Sequence, residues 1–328
     1  MEIELSGSLS GRKEAAWRAL LAQTGLEPDS AMEKTVLIWE DGQLIATGSR
    51  QGNILKCIAV DTLHQGEGLT ATVLTQLRQD AFAAGHRHLF LYTKPKNQQQ
   101  FTSLFFYPIA QTEQVLLMED RRDGIARFLE SLDVPAREGI VGAAVMNCNP
   151  FTWGHRYLIE TAAKECDHLY VFVLSEDKSQ FPAEDRLALV KAGTEDLNNV
   201  TVLPTGPYLI SSATFPTYFL QNREQAGQVQ CLLDIAVFTR HYAPKFGITR
   251  RYVGSEPLSP MTHQYNLALA EHLPAHGISV HIVDRKETDA TPISASAVRA
   301  LLGTGQPEKL RALVPPTTFT YLQEHHLL

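Results

Sequence analysis

From Gly139 onward, short apolar runs alternate with longer stretches whose apolar residues recur at helical spacing. The runs have the length of buried strands. Repeated strand–helix units of this size predict an α/β fold, a doubly wound parallel sheet of the Rossmann-like type, which binds ligands at the carboxyl ends of its strands. We expect strands at 140–146, 169–174, 200–203, 251–254 and 278–283, and helices near 154–164, 183–197, 261–273, 296–302 and 317–326.

The N-terminal third has a different order of elements: helix, hairpin, strand, helix and strand. Its hairpin turns at Asp41-Gly42, which is a strong short-range hairpin signal. This order predicts an α+β domain. The charged segment 119–138, which contains Pro135, indicates a connection between domains. We therefore expect one domain at residues 1–130 and a second at residues 131–328.

Composition narrows the class of protein. The 328 residues are 44% hydrophobic, which is enough for two cores. The 29 basic and 36 acidic residues leave the chain mildly acidic, which argues against nucleic acid as the main partner. No apolar run approaches the roughly 20 residues that span a bilayer. The four cysteines are scattered, so we expect a reduced, cytoplasmic protein without a membrane partner, and the histidine spacing predicts no structural metal site.

Residues 147–155 join a predicted strand to a predicted helix and place hydrogen-bond donors at the helix start. A helix N-terminus presents unpaired N–H groups and the positive end of its dipole to a phosphate. Gly154 allows the backbone to come close to a ligand, and the side chains of Thr152 and His155 can reach the same place. This pattern is typical of a nucleotide triphosphate site.

A second helix start of this kind lies far downstream, at 293–299. There Ser294, Ser296 and Arg299 supply hydroxyl and guanidinium donors. Serine before a helix is often an N-cap, and capping is compatible with phosphate binding. Two phosphate-binding turns in one domain predict chemistry on ATP.

The Thr-x-Gly-His spacing at 152–155, the predicted sheet and the later serine–arginine element together resemble the nucleotidyltransferase superfamily. The resemblance implies that ATP is cleaved between its α- and β-phosphates, by positioning and charge neutralisation. It also implies Mg²⁺ bound chiefly by the phosphates, without dedicated protein ligands. The implied catalytic residues are His155, Thr152 and Lys178, and the implied ATP-binding residues are Asn149, Pro150, Phe151, Gly154, Arg186, Gly254, Glu256, Ser294, Ser296 and Arg299.

Several of these residues also have a purely structural interpretation. His155 is compatible with a residue that only stabilises a turn. Lys178 and Arg186 are compatible with solvated surface charges, and Glu256 with a residue that closes its loop. The pattern alone leaves these alternatives open.

In the first domain, residues 65–70 form a glycine loop between a predicted strand and a predicted helix. This loop resembles the pyrophosphate loop of the Gcn5-related acetyltransferases, which implies binding of a coenzyme A-like group by Gln65, Gly66 and Gly68. Two residues depart from that pattern: Thr70 replaces a small residue, and Phe105 stands where a glycine is usual. A simple turn is the alternative interpretation, and no general base is evident.

An acetyltransferase-like domain ahead of a nucleotidyltransferase domain resembles, over the whole chain, the citrate (pro-3S)-lyase ligase family. The most specific stretches are 147–160, 181–190, 243–257 and 293–302. The resemblance implies a ligase that uses ATP and acetate to form acetyl-adenylate. It further implies acetylation of the thiol of a dephospho-coenzyme A-type prosthetic group on the acyl carrier subunit of citrate lyase, which activates that enzyme.

Two other functions compete with this hypothesis. An adenylyltransferase acting on pantetheine phosphate or nicotinamide mononucleotide would use the same ATP site but leaves the first domain unexplained. The second competing function is that of a non-catalytic scaffold that binds a carrier protein. The presence of Gly154, His155 and Arg299 argues against a scaffold. Release of pyrophosphate with acetate or with a phosphorylated acceptor distinguishes the three.

Overall fold

The structure of the chain is a computed structural model. It describes residues 1–29, 31–135, 137–176, 179–209, 215–220, 226–255, 260–285, 287–288 and 291–328. By its internal contacts the chain divides into two compact units. The first unit comprises residues 1–124 and 214–236, and the second comprises residues 125–213 and 237–328. Segment 214–236 therefore belongs to the first unit, although its place in the sequence lies well beyond the predicted boundary at 130.

The N-terminal part of the chain contains seven strands and three α-helices within the described residues. They are β1 (Glu2–Ser6), α1 (Gly11–Gln23), β2 (Lys34–Glu40), β3 (Gln43–Gln51), β4 (Ile54–Val60), α2 (Leu69–Ala83), β5 (Phe90–Thr93), α3 (Gln98–Ser103), β6 (Tyr107–Gln111) and β7 (Leu116–Glu119). The strands form one sheet in the order β1-β2-β3-β4-β5-β7-β6. All neighbours pair antiparallel except β4 and β5, which pair parallel.

The core of this unit lies under α2. One face of the helix, with Val73, Leu74 and Leu77, packs against buried side chains of the sheet. Gly48 on β3 makes this close packing possible, because a Cβ atom at that position would lie 2.4 Å from a methyl group of Val73. The hairpin predicted at Asp41-Gly42 is confirmed, and both turn residues have positive φ.

The remaining elements follow α4 (Gly124–Ser131) along the chain. They are β8 (Val141–Met146), α5 (Trp153–Lys164), β9 (His168–Val173), α6 (Ala183–Ala192), β10 (Val200–Pro204), α7 (Ala226–Val237), α8 (Ala243–Phe246), β11 (Arg250–Gly254), α9 (Pro260–His272), β12 (Ser279–Val283), β13 (Glu287–Thr288), β14 (Thr291–Pro292), α10 (Ala295–Leu301), α11 (Pro307–Leu313) and α12 (Pro316–Glu324). Strands β8 to β12 form an all-parallel sheet in the order β10-β9-β8-β11-β12.

The predicted fold class is confirmed in both units: a mixed α+β unit is followed by a doubly wound parallel sheet. The predicted strands and helices of the second unit are all present, with shifts at their ends. Helix α6 ends at Ala192 rather than 197, and Gly193 is its C-cap residue. Helices α7, α8 and α11 were not predicted. None of the helices in the described ranges is long and apolar enough to cross a membrane.

Candidate active site

The order of the parallel sheet places a crevice beside β8. The chain runs from β8 outward through β9 to β10, and it then returns to the other side of β8 as β11. At such a reversal the loops that follow the two adjacent strands diverge, and the opening between them is where open α/β sheets bind ligands. The loop after β8 leads directly into α5 through residues 147–152. The sequence motif thus lies at the ligand-binding edge of the sheet.

Thr152 and His155 form a reciprocal cap at the start of α5. The Thr152 hydroxyl accepts from the backbone N–H of His155 at 3.4 Å, and Nδ1 of His155 accepts from the backbone N–H of Thr152 at 3.1 Å. The Thr152 hydroxyl also lies 3.0 Å from the same ring nitrogen. This arrangement fixes the ring, with Phe151 stacked against it at a centroid distance of 6.0 Å.

The hydrogen bonds at Nδ1 determine the tautomer of His155. Because Nδ1 accepts a hydrogen bond from a backbone N–H, the neutral ring carries its own proton on Nε2. Burial, together with the nearby charge of Arg285, lowers the pKa of His155 to about 4. At neutral pH His155 therefore offers an Nε2–H donor and no positive charge.

Gly154 brings the two predicted helix starts together. A Cβ atom at this position would lie 2.8 Å from the carbonyl oxygen of Ile293, the residue before the N-cap of α10. Only a residue without a side chain permits this approach. The sequence predicted that Gly154 admits a ligand, and this stays a prediction. What the structure shows at Gly154 is the close approach of the backbone of the second element.

Arg299 holds the two helix starts in this arrangement. Its Nη1 donates to the carbonyl of Asn149 at 2.5 Å, and its Nη2 donates to the hydroxyl of Ser296 at 3.0 Å. Ser294 is the N-cap of α10 and accepts from the backbone N–H of Ala297 at 3.1 Å. The hydroxyl and guanidinium groups predicted at the second helix start are thus assembled beside the first.

Free backbone donors remain at both starts. The N–H of Gly154 in α5 and the N–H groups of Ala295 and Ser296 in α10 make no hydrogen bond to any described residue. Together with Nε2–H of His155, they form a group of donors suited to an anion such as a phosphate.

Arg186, predicted to bind ATP, lies fully buried under the loop. Its guanidinium donates to three backbone carbonyls, those of Phe181 at 3.0 Å, Asn147 at 2.8 Å and Glu176 at 2.5 Å. Arg186 is therefore not a solvated surface charge. Its guanidinium also does not lie at the surface of the site. Its position ties the loop after β9 to the loop after β8.

The other predicted residues of this loop also support it from within. Phe151 is fully buried in the core beneath the sheet, and Pro150 is buried as well, after a cis peptide bond. The side chain of Asn149 accepts from the backbone N–H of Phe181 at 3.1 Å. These three residues shape the loop that carries Thr152, Gly154 and His155.

Gly254 ends β11, on the other side of the crevice from α5, and its carbonyl accepts from the side chain of Asn266 at 2.9 Å. The space beside it is open, since a Cβ atom there would approach its nearest neighbour, Leu158, at 4.0 Å. Lys178 and Glu256 lie outside the described residues.

Sequence analysis missed Arg285. This residue follows β12 at the same edge of the sheet, and its Nε donates to the carbonyl of Ser255 at 2.8 Å. Its charge contributes to the lowered pKa of His155, so the two side chains lie near each other. The available signal was its position. Arg285 is the second residue after β12, and residues that follow the strands of a parallel sheet lie at its ligand-binding edge.

The first unit contains a cavity of about 740 Å³ beneath the predicted glycine loop. Gln65, Gly66 and Gly68 line it on one side, and Lys96 lies among its cationic lining residues. Gly66 and Gly68 have φ values of +91° and +79°, so both need the conformational freedom of glycine. The N–H groups of Gly66 and Gly68 make no hydrogen bond within the described residues and are available to a ligand.

Among the described residues, no group of three or more His, Cys, Asp or Glu side chains is placed to hold a metal ion.

Comparison with known proteins covers nearly the whole chain. A family profile described as the citrate lyase ligase C-terminal domain matches residues 141–322. The citrate (pro-3S)-lyase ligase of Klebsiella pneumoniae is 40% identical over 319 residues, covering 95% of this chain and 93% of that protein. The enzyme of the same name from Escherichia coli is 38% identical over 319 residues, covering 95% of this chain and 91% of that protein.

A shorter similarity connects the chain to an adenylyltransferase. The phosphopantetheine adenylyltransferase of Staphylococcus carnosus is 38% identical over 56 residues, which is 16% of this chain and 35% of that protein. It supports the alternative function only weakly, because it leaves most of the chain unaccounted for.

Proposed function

This chain belongs to the citrate lyase ligase family, and we propose that it activates citrate lyase by ATP-dependent acetylation of the prosthetic-group thiol on the acyl carrier subunit. It is an enzyme, a ligase, by its membership of that family. The observation that carries the proposed chemistry is the close approach of Gly154 to Ile293, which places two sets of phosphate-binding donors side by side.

In the first step, a carboxylate oxygen of acetate attacks the α-phosphorus of ATP. The bond from that phosphorus to the bridging oxygen breaks, and pyrophosphate leaves with the bonding electrons. In this proposal the N–H of Gly154, Nε2–H of His155 and the Arg299 guanidinium stabilise the negative charge that accumulates on the leaving pyrophosphate. Fixed donors of this kind stabilise the transition state without having to reorganise.

The neutral state of His155 suits this task. A histidine whose pKa is about 4 is neutral throughout the physiological range, and its ring proton stays on Nε2. Thr152 holds the ring in position through Nδ1. We assign His155 the role of donor to the phosphates and Thr152 the role of orienting it.

The remaining predicted residues take supporting roles in this proposal. Arg186, Asn149, Pro150 and Phe151 shape the loop, and Ser294 and Ser296 complete the second set of donors. Gly254 leaves room on the nucleoside side of the crevice. Lys178 is assigned to the phosphates and Glu256 to the ribose, as the family resemblance implies. Mg²⁺ enters with ATP, held by the phosphate oxygens.

The cavity of the first unit suits the arm of the prosthetic group. Strands β4 and β5 pair through Ile54 with Phe90 and Leu55 with Leu91 and then separate, and the cavity is lined by the separated parts of both strands. The glycine loop lines the same cavity, and the N–H groups of Gly66 and Gly68 are available to an anion there. A diphosphate at the loop with an extended arm between the strands matches a dephospho-coenzyme A-type group.

In the second step, the sulfur of the arm attacks the acetyl carbonyl of the adenylate. A carbon–sulfur bond forms, the bond from the carbonyl carbon to the phosphate oxygen breaks, and AMP leaves while the thiol gives up its proton. The oxygen that joined acetate to the phosphorus stays with AMP.

That oxygen provides the test. With acetate labelled by ¹⁸O, ATP and Mg²⁺, we expect pyrophosphate release and AMP that carries one labelled oxygen once the thiol form of citrate lyase is added. Unlabelled AMP would overturn the proposed mechanism. Pyrophosphate release that requires pantetheine phosphate or nicotinamide mononucleotide instead of acetate would favour an adenylyltransferase, and no release with any acceptor would favour a scaffold.

A further inference from the structure

Arg285 is held at the ligand-binding edge of the parallel sheet by the neighbouring strand. It is the second residue after β12, and its Nε donates to the carbonyl of Ser255 at 2.8 Å. Ser255 directly follows β11, and its own backbone N–H donates to the carbonyl of Val283 at 2.8 Å. The loops after the two strands are therefore fastened to each other, and the side chain of Arg285 reaches from β12 to the end of β11.

The end of β11 in turn lies close to the first turns of α5. A Cβ atom at Gly254, the residue before Ser255, would lie 4.0 Å from a methyl group of Leu158. Leu158 is three residues after His155, and residues at this spacing are neighbours on the surface of a helix. Electrostatic repulsion by Arg285 also helps to lower the pKa of His155. Two separate observations thus place Arg285 beside the start of α5, on the β11 side of the crevice.

In the proposed function, this is the place of the α-phosphate of ATP. The nucleoside is assigned to the open space at Gly254, and the pyrophosphate to the starts of α5 and α10, where Nε2–H of His155 is one donor. The α-phosphate joins the nucleoside to the pyrophosphate, so it lies between these two places. Arg285 is linked to both, because it is bonded to the residue after Gly254 and lies near His155.

The reaction also needs a positive charge at this point. Acetate and the α-phosphate are both negatively charged, so a fixed cation beside them favours the attack. The imidazole of His155 is neutral at physiological pH. The guanidinium of Arg299 is bonded at the helix starts, to the carbonyl of Asn149 and the hydroxyl of Ser296. Arg285 supplies a second guanidinium, which stays ionised at any physiological pH.

We propose that Arg285 is a further substrate-binding residue, which holds the α-phosphate of ATP during the attack and keeps the same phosphate bound in the acetyl-adenylate. This inference rests on the proposed function and adds a residue to it. The two arginines then serve different products of the first step. Arg285 stays with the adenylate, whereas Arg299 acts on the pyrophosphate that leaves.

Calorimetric titration of the full-length protein with AMP and, separately, with magnesium pyrophosphate tests this division. Arg285→Met should weaken AMP binding by about tenfold or more, the effect of losing a hydrogen bond to a charged group, and should change pyrophosphate binding by less than about threefold. Arg299→Met should show the reverse pattern. Arg285→Lys should recover part of the AMP affinity, because lysine keeps the charge but lacks the planar fork of donors.

Arg250→Met is the matched control. Arg250 also donates to a backbone carbonyl, that of Glu165 at 2.8 Å, but it begins β11 and therefore lies at the opposite edge of the sheet. This variant should bind AMP and pyrophosphate as the unmodified protein does. The inference would be overturned if Arg285→Met bound AMP with unchanged affinity, or if it lost AMP and pyrophosphate binding equally.

A second measurement needs no variant, so it decides the question even if Arg285→Met does not fold. In a crystal structure of the unmodified protein with AMP, a guanidinium nitrogen of Arg285 should lie within about 3.2 Å of a phosphate oxygen. AMP whose phosphate is bound only by other residues, or no bound AMP, would overturn the inference. Acetate-dependent pyrophosphate release by the same protein tests the proposed function separately. If AMP binds through Arg285 but acetate releases no pyrophosphate, the phosphate-binding role holds while the proposed reaction fails.

Discussion

The backbone of Gly154 lies so close to the carbonyl of Ile293 that a Cβ atom would be 2.8 Å from its oxygen. This approach joins the start of α5 to the residue before the N-cap of α10, across about 140 residues of sequence. Arg299 adds a hydrogen bond to the carbonyl of Asn149 at 2.5 Å. The candidate ATP site depends on this junction, because each helix start alone offers only part of the set of donors.

Gly154→Ala should separate the two helix starts. The added methyl group meets a backbone carbonyl that cannot rotate away, so we expect acetate-dependent pyrophosphate release to fall by about tenfold or more, with a loss of stability of about 1–3 kcal/mol from overpacking. Steady-state kinetics and thermal unfolding measure the two effects.

Gly227→Ala is the matched control. Gly227 also lies in the first turn of a helix, α7, but a Cβ atom there has no neighbour within 4 Å. Activity should be unchanged, and stability should be equal or up to about 1 kcal/mol higher. Similar activity losses in both variants would show that the approach to Ile293 is irrelevant to the reaction.

His155 should titrate far below the usual histidine range. We expect an imidazole pKa of about 4 in NMR spectra of the protein labelled with ¹⁵N-histidine, with the proton on Nε2 at neutral pH. Because the folded-state pKa lies below the unfolded value, the unfolded chain binds this proton first as pH falls. The contribution of His155 to stability is thus fully present above about pH 6.5 and is lost as pH falls toward 4.

His155→Ala should lower the rate of pyrophosphate release by on the order of 10²–10³, as expected for loss of one fixed donor. His276→Ala, at an exposed position, is the control and should leave the rate unchanged. A pH–rate profile of the unmodified enzyme that shows a titration near 6.5, absent from His155→Ala, would contradict the neutral-donor role.

Arg186 and Arg299 should respond differently to substitution. Arg186→Met leaves the carbonyls of Phe181, Asn147 and Glu176 without their donor, and each unsatisfied buried group costs about 1–3 kcal/mol. We therefore expect a loss of stability of about 3 kcal/mol or more in denaturant unfolding.

Arg299→Met should instead lower activity strongly at a stability cost of about 1 kcal/mol, because this side chain is only partly buried. Arg299→Lys, which keeps the charge, should recover part of the activity. If Arg299→Met destabilised the fold as much as Arg186→Met and Arg299→Lys recovered nothing, Arg299 would have no role beyond the fold.

The glycine loop should be needed for only one half of the reaction. Gly66→Val and Gly68→Val force side chains into positive φ and crowd the mouth of the cavity, so the acetylated carrier should be lost while acetate-dependent pyrophosphate release is kept. Gly85→Val is the control, since Gly85 has a φ of +89° but is not among the residues that line the cavity. Radiolabelled acetate followed into the carrier subunit measures the transfer. Loss of both half-reactions, or of neither, would contradict this division of labour.

The sequence predicted the local parts of the site well, because helix starts are encoded by adjacent residues. Thr152, Gly154 and His155 lie where their spacing placed them, and Ser294 is the N-cap that its position before an apolar run indicated. The parallel sheet of the second unit followed from the alternation of strands and helices.

Burial and long-range placement were not predictable in the same way. From the sequence, Arg186 was interpreted as a surface charge or an ATP ligand. Its burial could not be predicted, because the carbonyl groups that it binds are distant in sequence or lie in irregular loops. Tyr218 joins the first unit through contacts with Tyr92 and Glu27, more than a hundred residues away. No periodicity encodes such contacts, since they arise only when the tertiary structure forms.

The most direct test of the account is a crystal structure of the full-length protein with a nonhydrolysable ATP analogue and Mg²⁺. The account predicts that the β- and γ-phosphates lie within hydrogen-bond distance of the Gly154 N–H, Nε2 of His155 and the start of α10. A nucleotide bound elsewhere, with both helix starts left unused, would contradict it.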